Sequence, residues 1–171
     1  MIKCYFSGLI LLCALYVSAV EANSLKPQAV GQEIAELILV KDKSLLSQLK
    51  HFSKNVPKLF KAYAQDPAVI VFFNNHPDRK KLFDALLKNV MEMTNFFLQK
   101  GFEWRDYYSD RQVYSALFYN AVTVDHQIFM NVHRLKQSLE ILYDLFARGN
   151  ISKKESEIYL IQIEEIKVYE Y

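Results

Sequence analysis

His126 and His133, seven residues apart, form the most reactive-looking constellation in this chain. On one helix they would share a face, the arrangement a zinc site or a proton relay would need. At about 1.5 Å rise per residue, however, their backbones stand about 10 Å apart, too far for two ligands of one zinc without help from elsewhere. No His-Glu-x-x-His run is present, so ordinary helix positions are the expectation for both. Asp125 beside His126, and Glu164 beside Glu165, are neighbours in sequence and therefore point in different directions on a helix. A serine hydrolase would need a Gly-x-Ser-x-Gly turn, and a nucleotide site a glycine-rich loop. Neither exists among the 4 glycines, and no cofactor is implied.

Thiol chemistry is removed by position. Cys4 and Cys13 are the only cysteines, and both fall in a segment with the three parts of a secretion signal. Lys3 supplies the positive start, Tyr5 to Val17 is an apolar run, and small residues follow. Cleavage after Ala22, with Val20 and Ala22 at the two small-residue positions, is preferred to cleavage after Ala19. The run is short for a bilayer span, so residues 1–22 read as a leader and 23–171 as one secreted domain with no membrane anchor. A small secreted domain without disulfides must be held together by burial. Asn150-Ile151-Ser152 is the one covalent feature this compartment adds, an acceptor sequence for an N-linked glycan.

Loss of Lys3 and Glu21 with the leader removes one charge of each sign, so the net charge stays at +2. That balance argues against nucleic acid, whose binders carry a dense basic face. The short clusters Arg79-Lys80-Lys81 and Lys153-Lys154 read as solvated faces at helix starts.

The elements that would position these residues are helical. Sparse glycine and proline, with few turn clusters, disfavour a sandwich or barrel. Apolar spacing predicts a helix over 28–40 through Ile34, Leu37 and Ile38, then another through Leu45, Leu46, Leu49 and Phe52, either two helices or a single bent one. Prolines 57, 67 and 77 read as start signals, with Asn55 and Asp66 as caps. Short helices over 57–64 and 67–74 and a long one from Pro77 to Lys100 follow. Gly101 then fits a left-handed helix end, and Phe102 to Tyr108 an aromatic connection. Asp110 opens the next helix, and Asp125 either caps another or lies within a continuous one that ends near Gly149. Ser152 and Glu155 have capping-box spacing and start a last helix to about Val168, although Ile166, Val168 and the final tyrosines also alternate like a strand. The expectation is an all-α fold of six to eight helices, a bundle or a small capsule.

Large rings exceed what one small core strictly needs, with 12 phenylalanines and 11 tyrosines in the chain. The surplus can thicken the core, form a partner surface, or line an apolar cavity. Phe73, Phe83, Leu87, Phe97, Phe118 and Phe129, on the apolar stripes of their helices, are the candidates for lining such a cavity.

The run from Tyr63 to Tyr108 supplies a resemblance. Asp66-x-x-Val69, Phe73, Pro77-Asp78, the apolar helix to Phe96-Phe97-Leu98-x-x-Gly101-Phe102, and Tyr107-Tyr108 resemble the repeat of the insect allergen-related family. That family includes cockroach group 1 allergens and insect midgut microvillar proteins. Asn89-Val90-Met91-Glu92 stands where the family carries proline-glutamate. The resemblance implies a secreted, disulfide-free helical protein around a lipid-filled interior. Two functions are therefore carried forward: a secreted non-enzymatic protein that binds a fatty acid or other lipid, and a secreted signalling or interaction factor that presents rings to a protein partner or a second copy.

Overall fold

The computed structural model describes the backbone over residues 27–39, 44–109 and 118–169, and the side chains there except at 98 and 100–124. The leader, Asp110 and the side chain of Phe118 lie outside the described residues. Six helices are described: α1 (Pro27–Ile38), α2 (Leu45–Gln65), α3 (Pro67–Asn75), α4 (Pro77–Ser109), α5 (Phe118–Ala147) and α6 (Lys153–Glu165). The described chain is all-helical, in one compact arrangement without strands. α2 lies against α5 and α4, α1 rests on α5, α6 rests on α4, and α3 bridges α2 to α4.

Three stripes build the core. α2 buries Leu49, Phe52, Val56, Leu59, Phe60 and Tyr63; α4 buries Leu82, Phe83, Leu86, Val90, Met93 and Phe97; α5 buries Ile128, Val132, Leu135, Leu139, Leu142 and Phe146. Steps of three and four, with the adjacent pairs Leu59-Phe60 and Leu82-Phe83 widening two of the stripes, keep each set on one helix face. Each fully buried aliphatic or aromatic side chain contributes about 1.5–3 kcal/mol.

The punctuation was partly different from the sequence expectation. Pro57 begins no helix but lies inside α2. An interior proline costs about 3 kcal/mol, yet Phe52 and Val56 before it and Phe60 after it are completely buried on one stripe. Breaking the helix there would expose that stripe, so burial wins. Asn55 accordingly caps nothing and donates from Nδ2 to His51 Nδ1 at 3.2 Å. Asp66 does cap α3, accepting from the amides of Ala68 at 2.7 Å and Val69 at 3.2 Å, with Pro67 in the first turn.

Gly101 lies within α4, which runs to Ser109, so the expected left-handed end and aromatic connection are both replaced by helix. Asp125 likewise falls inside the continuous α5. The capping box at Ser152 is formed. α6 stops at Glu165, short of Val168; the chain bends at Lys167, and the tail that follows is tied to α5 by side chains. Asn131 accepts from the Tyr169 amide at 2.8 Å and donates to its carbonyl at 3.1 Å, as a neighbouring strand would. The strand-like alternation through Ile166 and Val168 forms no strand among the described residues.

Candidate functional site

Of the four histidines of the chain, His51, His76 and His126 have structural contacts. His51 donates to the Leu37 carbonyl at 3.1 Å, tying α2 to α1. His76 ends α3 and lies against the Phe72 ring at 4.7 Å. His126 and His133 are exposed on α5, and His126 packs edge-on to Tyr169. Among the described residues no group of three histidines, cysteines or carboxylates could hold a metal ion.

The six ring and leucine candidates separate. Phe73 and Phe83 meet at 4.8 Å between ring centroids, inside a cluster that joins Phe60, stacked on Phe83 at 5.9 Å, and Phe146, 5.4 Å from Phe73. Phe97 is buried on α4 beside Phe96, and Leu87 is half-buried there. Phe129 is 52% exposed on α5. In the cluster the rings pack on one another and leave beside Phe73 and Phe83 a pocket of only about 70 Å3.

Arg79 belongs to the same region and departs from the solvated-face reading. Only 7% exposed, it donates from one guanidinium nitrogen to the carbonyls of Leu145 at 2.8 Å and Arg148 at 2.9 Å. It thereby closes the C-terminal end of α5, where carbonyls lack partners and the helix dipole favours a cation. Burial lowers its pKa from the usual arginine range. Lys80 and Lys81 remain exposed, Lys80 paired with Asp84 at 2.6 Å.

Open apolar space lies elsewhere, along α1. Val30 and Ile34 bury their side chains where α1 rests on α5. Beside that seam is a groove of about 600 Å3 lined by Gly31, Ile34, Ala35, Ile38 and Tyr143, with Gln28, Glu140 and Asp144 at its polar edge. Gly31 sets the close approach: a Cβ there would stand 2.8 Å from Tyr143 Cε2, so the missing side chain is what lets the tyrosine ring lie against α1. No protein-family model matches the chain, and comparison with curated proteins and with solved structures finds no match. The groove must therefore be read from its own chemistry.

Two polar ties fix its walls. Tyr63 donates to Glu33 Oε2 at 2.5 Å and anchors α1 to α2; burial first, then this bond and the carboxylate charge, push the phenol well above its ordinary pKa. Tyr159 of α6 donates to Asp144 Oδ2 at 2.7 Å, while Arg148 Nε stands 3.4 Å from the same oxygen. Burial and the bond to Asp144 push the Tyr159 phenol up to about 12. Asp144 is thus partnered from two sides, which leaves Glu140 as the charge at the groove edge. The sequence pattern presented Ile34 and Ile38 as one face of a helix but did not separate core from groove. The available signal was Gly31, a glycine inside a helical pattern, which marks close approach of another group.

Proposed function

We propose that this chain is a secreted, non-catalytic helical protein that holds one apolar ligand in the groove between α1 and α5. The groove itself carries the reading: about 600 Å3, walled by Ile34, Ala35, Ile38 and Tyr143, it falls in the range of about 300–1,000 Å3 common to small-molecule sites. Glu140 at the edge disfavours a fatty carboxylate by like charge, so a lipid with an uncharged head fits better than a fatty acid. The likeness of Tyr63–Tyr108 to the insect allergen-related repeat supports the same ligand class, although the groove lies outside that stretch.

Native mass spectrometry of gently purified protein, followed by titration with a long-chain alcohol and the acid of equal length, tests it. Retained neutral lipid and tighter binding of the alcohol are expected. Ala35→Trp, at an exposed groove position, fills the space and should weaken binding about tenfold or more, the cost of losing one well-packed apolar contact set. Unchanged binding by that variant would overturn the assignment.

A second reading, a partner surface, is favoured by Phe129 on α5 and by Ile158 and Ile161, exposed one turn apart on α6. A lipid-free, tight homodimer in sedimentation experiments would support it over the ligand groove.

A further inference from the structure

The connector between α5 and α6 carries the acceptor sequence Asn150-Ile151-Ser152, and the surroundings of its two polar residues differ. Asn150 is exposed there, next to Gly149, around which nothing approaches within 4 Å of where a side chain would start. On one side the asparagine borders a cleft of about 260 Å3 whose wall includes Asn75, His76, Asp78 and Ser156, polar groups suited to a sugar. Space and polarity at Asn150 therefore admit a glycan.

Ser152 gives the opposite signal. Its hydroxyl is the group that distinguishes an acceptor sequence from any other asparagine, and in the folded chain both hydroxyl functions are used. Oγ donates to Glu155 Oε2 at 2.6 Å and accepts from the Glu155 amide at 3.3 Å, while the same carboxylate accepts from the Ser152 amide at 2.8 Å. These bonds are the capping box that starts α6. Modification needs the serine free; the folded helix needs it bound.

We propose that Asn150 receives an N-linked glycan on the nascent chain, before α6 closes its capping box, and that folding then shuts the acceptor sequence. The donor class is an oligosaccharide on a lipid diphosphate. Asn150 Nδ2 forms a bond to the anomeric carbon as the bond from that carbon to the phosphate oxygen breaks. The lipid diphosphate leaves with the electron pair, and one amide proton passes to the transferring enzyme's base. No oxidant or reductant is involved. The inference shares the secretory premise of the proposed function but is independent of the groove.

Translation of the full chain in the presence of microsomes tests it, with protease protection reporting translocation in the same tube. The expected result is a protected chain of lowered mobility, restored by an N-glycosidase and absent in Asn150→Gln. A protected but unshifted chain overturns the site alone; an unprotected chain overturns the secretory premise with it. Timing is read by offering folded, unmodified full-length protein to solubilised microsomal enzyme and donor. Folded wild type should be modified far less than the nascent chain, whereas Glu155→Ala, which opens the box without touching the acceptor sequence, should raise that low level about fivefold, the factor by which one lost cap increases the frayed population. Equal modification of folded and nascent wild type would overturn the ordering. Circular dichroism of both proteins keeps that comparison valid, since a Glu155→Ala chain that retains helix content differs from wild type only at the cap.

Discussion

The ring cluster between α2, α3, α4 and α5 and the groove between α1 and α5 use similar residues to opposite ends. In the cluster, Phe60, Phe73, Phe83 and Phe146 come from four helices and meet within 6 Å of one another's centroids along the chain of contacts. In the groove, Ile34, Ala35, Ile38 and Tyr143 come from two helices and leave open space. The number of converging helices makes the difference. An apolar stripe is filled when neighbours close on it from several sides, and α1, twelve residues long, meets chiefly α5. Apolar composition alone does not distinguish a core from a binding surface.

The sharpest way to break this comparison is to empty one place in the cluster. Phe83→Ala removes a ring in contact with both Phe60 and Phe73 and should cost about 3–5 kcal/mol, read as a lower urea midpoint with an unchanged slope. Ile38→Ala, half-buried at the groove, should cost about 1 kcal/mol or less, since a partly solvated side chain loses less burial and leaves no closed cavity. Equal losses would mean that the two regions are packed alike.

Arg79 ranks next. Arg79→Met keeps an apolar stem under Phe72 but leaves the carbonyls of Leu145 and Arg148 without their donor, an expected loss of about 2 kcal/mol by chemical denaturation. Lys80→Met, one residue away and exposed, should change stability by about 0.5 kcal/mol or less. A similar response at both positions would remove the cap from the account of the cluster.

Residues that act through neighbours close in sequence were legible; those that act across the fold were not. Asp66 before Pro67, and Ser152 three before Glu155, cap helices through backbone atoms two or three residues away, so local spacing was sufficient. The buried stripe of α4 was legible for the same reason. Pro57 misled because its local cost was visible while the burial of Phe52, Val56 and Phe60 around it was not. Arg79 looked like part of a basic cluster, since nothing near it in sequence reveals carbonyls 66 and 69 residues further on. Asn131 is a similar case, with its partner Tyr169 at a separation of 38. The groove was hidden because Ile34 and Ile38 look the same whether or not another helix covers them.

The tie from Tyr159 to Asp144, an edge residue of the groove, predicts an alkaline signature. The Tyr159 phenol is raised from 10.0 in the unfolded chain to about 12 by burial and its bond to Asp144. A group whose folded pKa is raised contributes fully below the unfolded value and loses that contribution as pH rises to the folded one. Stability should therefore fall between pH 10 and about 12. Part of that slope should disappear in Tyr159→Phe, whose loss at neutral pH should be about 1 kcal/mol for one hydrogen bond. Identical slopes in the two proteins would show that burial and Asp144 do not hold the Tyr159 phenol protonated.

Gly31→Ala carries the smallest expected change in stability and the most specific test of the groove. In a helix interior, alanine is favoured over glycine by about 1 kcal/mol. Here the new Cβ would stand 2.8 Å from Tyr143 Cε2, so the ring must move, and that loss of contact offsets much of the gain. A tyrosine already 39% exposed can swing outward without breaking the core, which keeps the net stability change near zero. The displaced ring nevertheless reshapes the groove wall. Binding of an uncharged apolar probe should weaken while the urea midpoint holds. If probe affinity and midpoint both stay at the wild-type values, the contact between Gly31 and Tyr143 has no part in ligand binding, and the groove loses the feature that sets its shape.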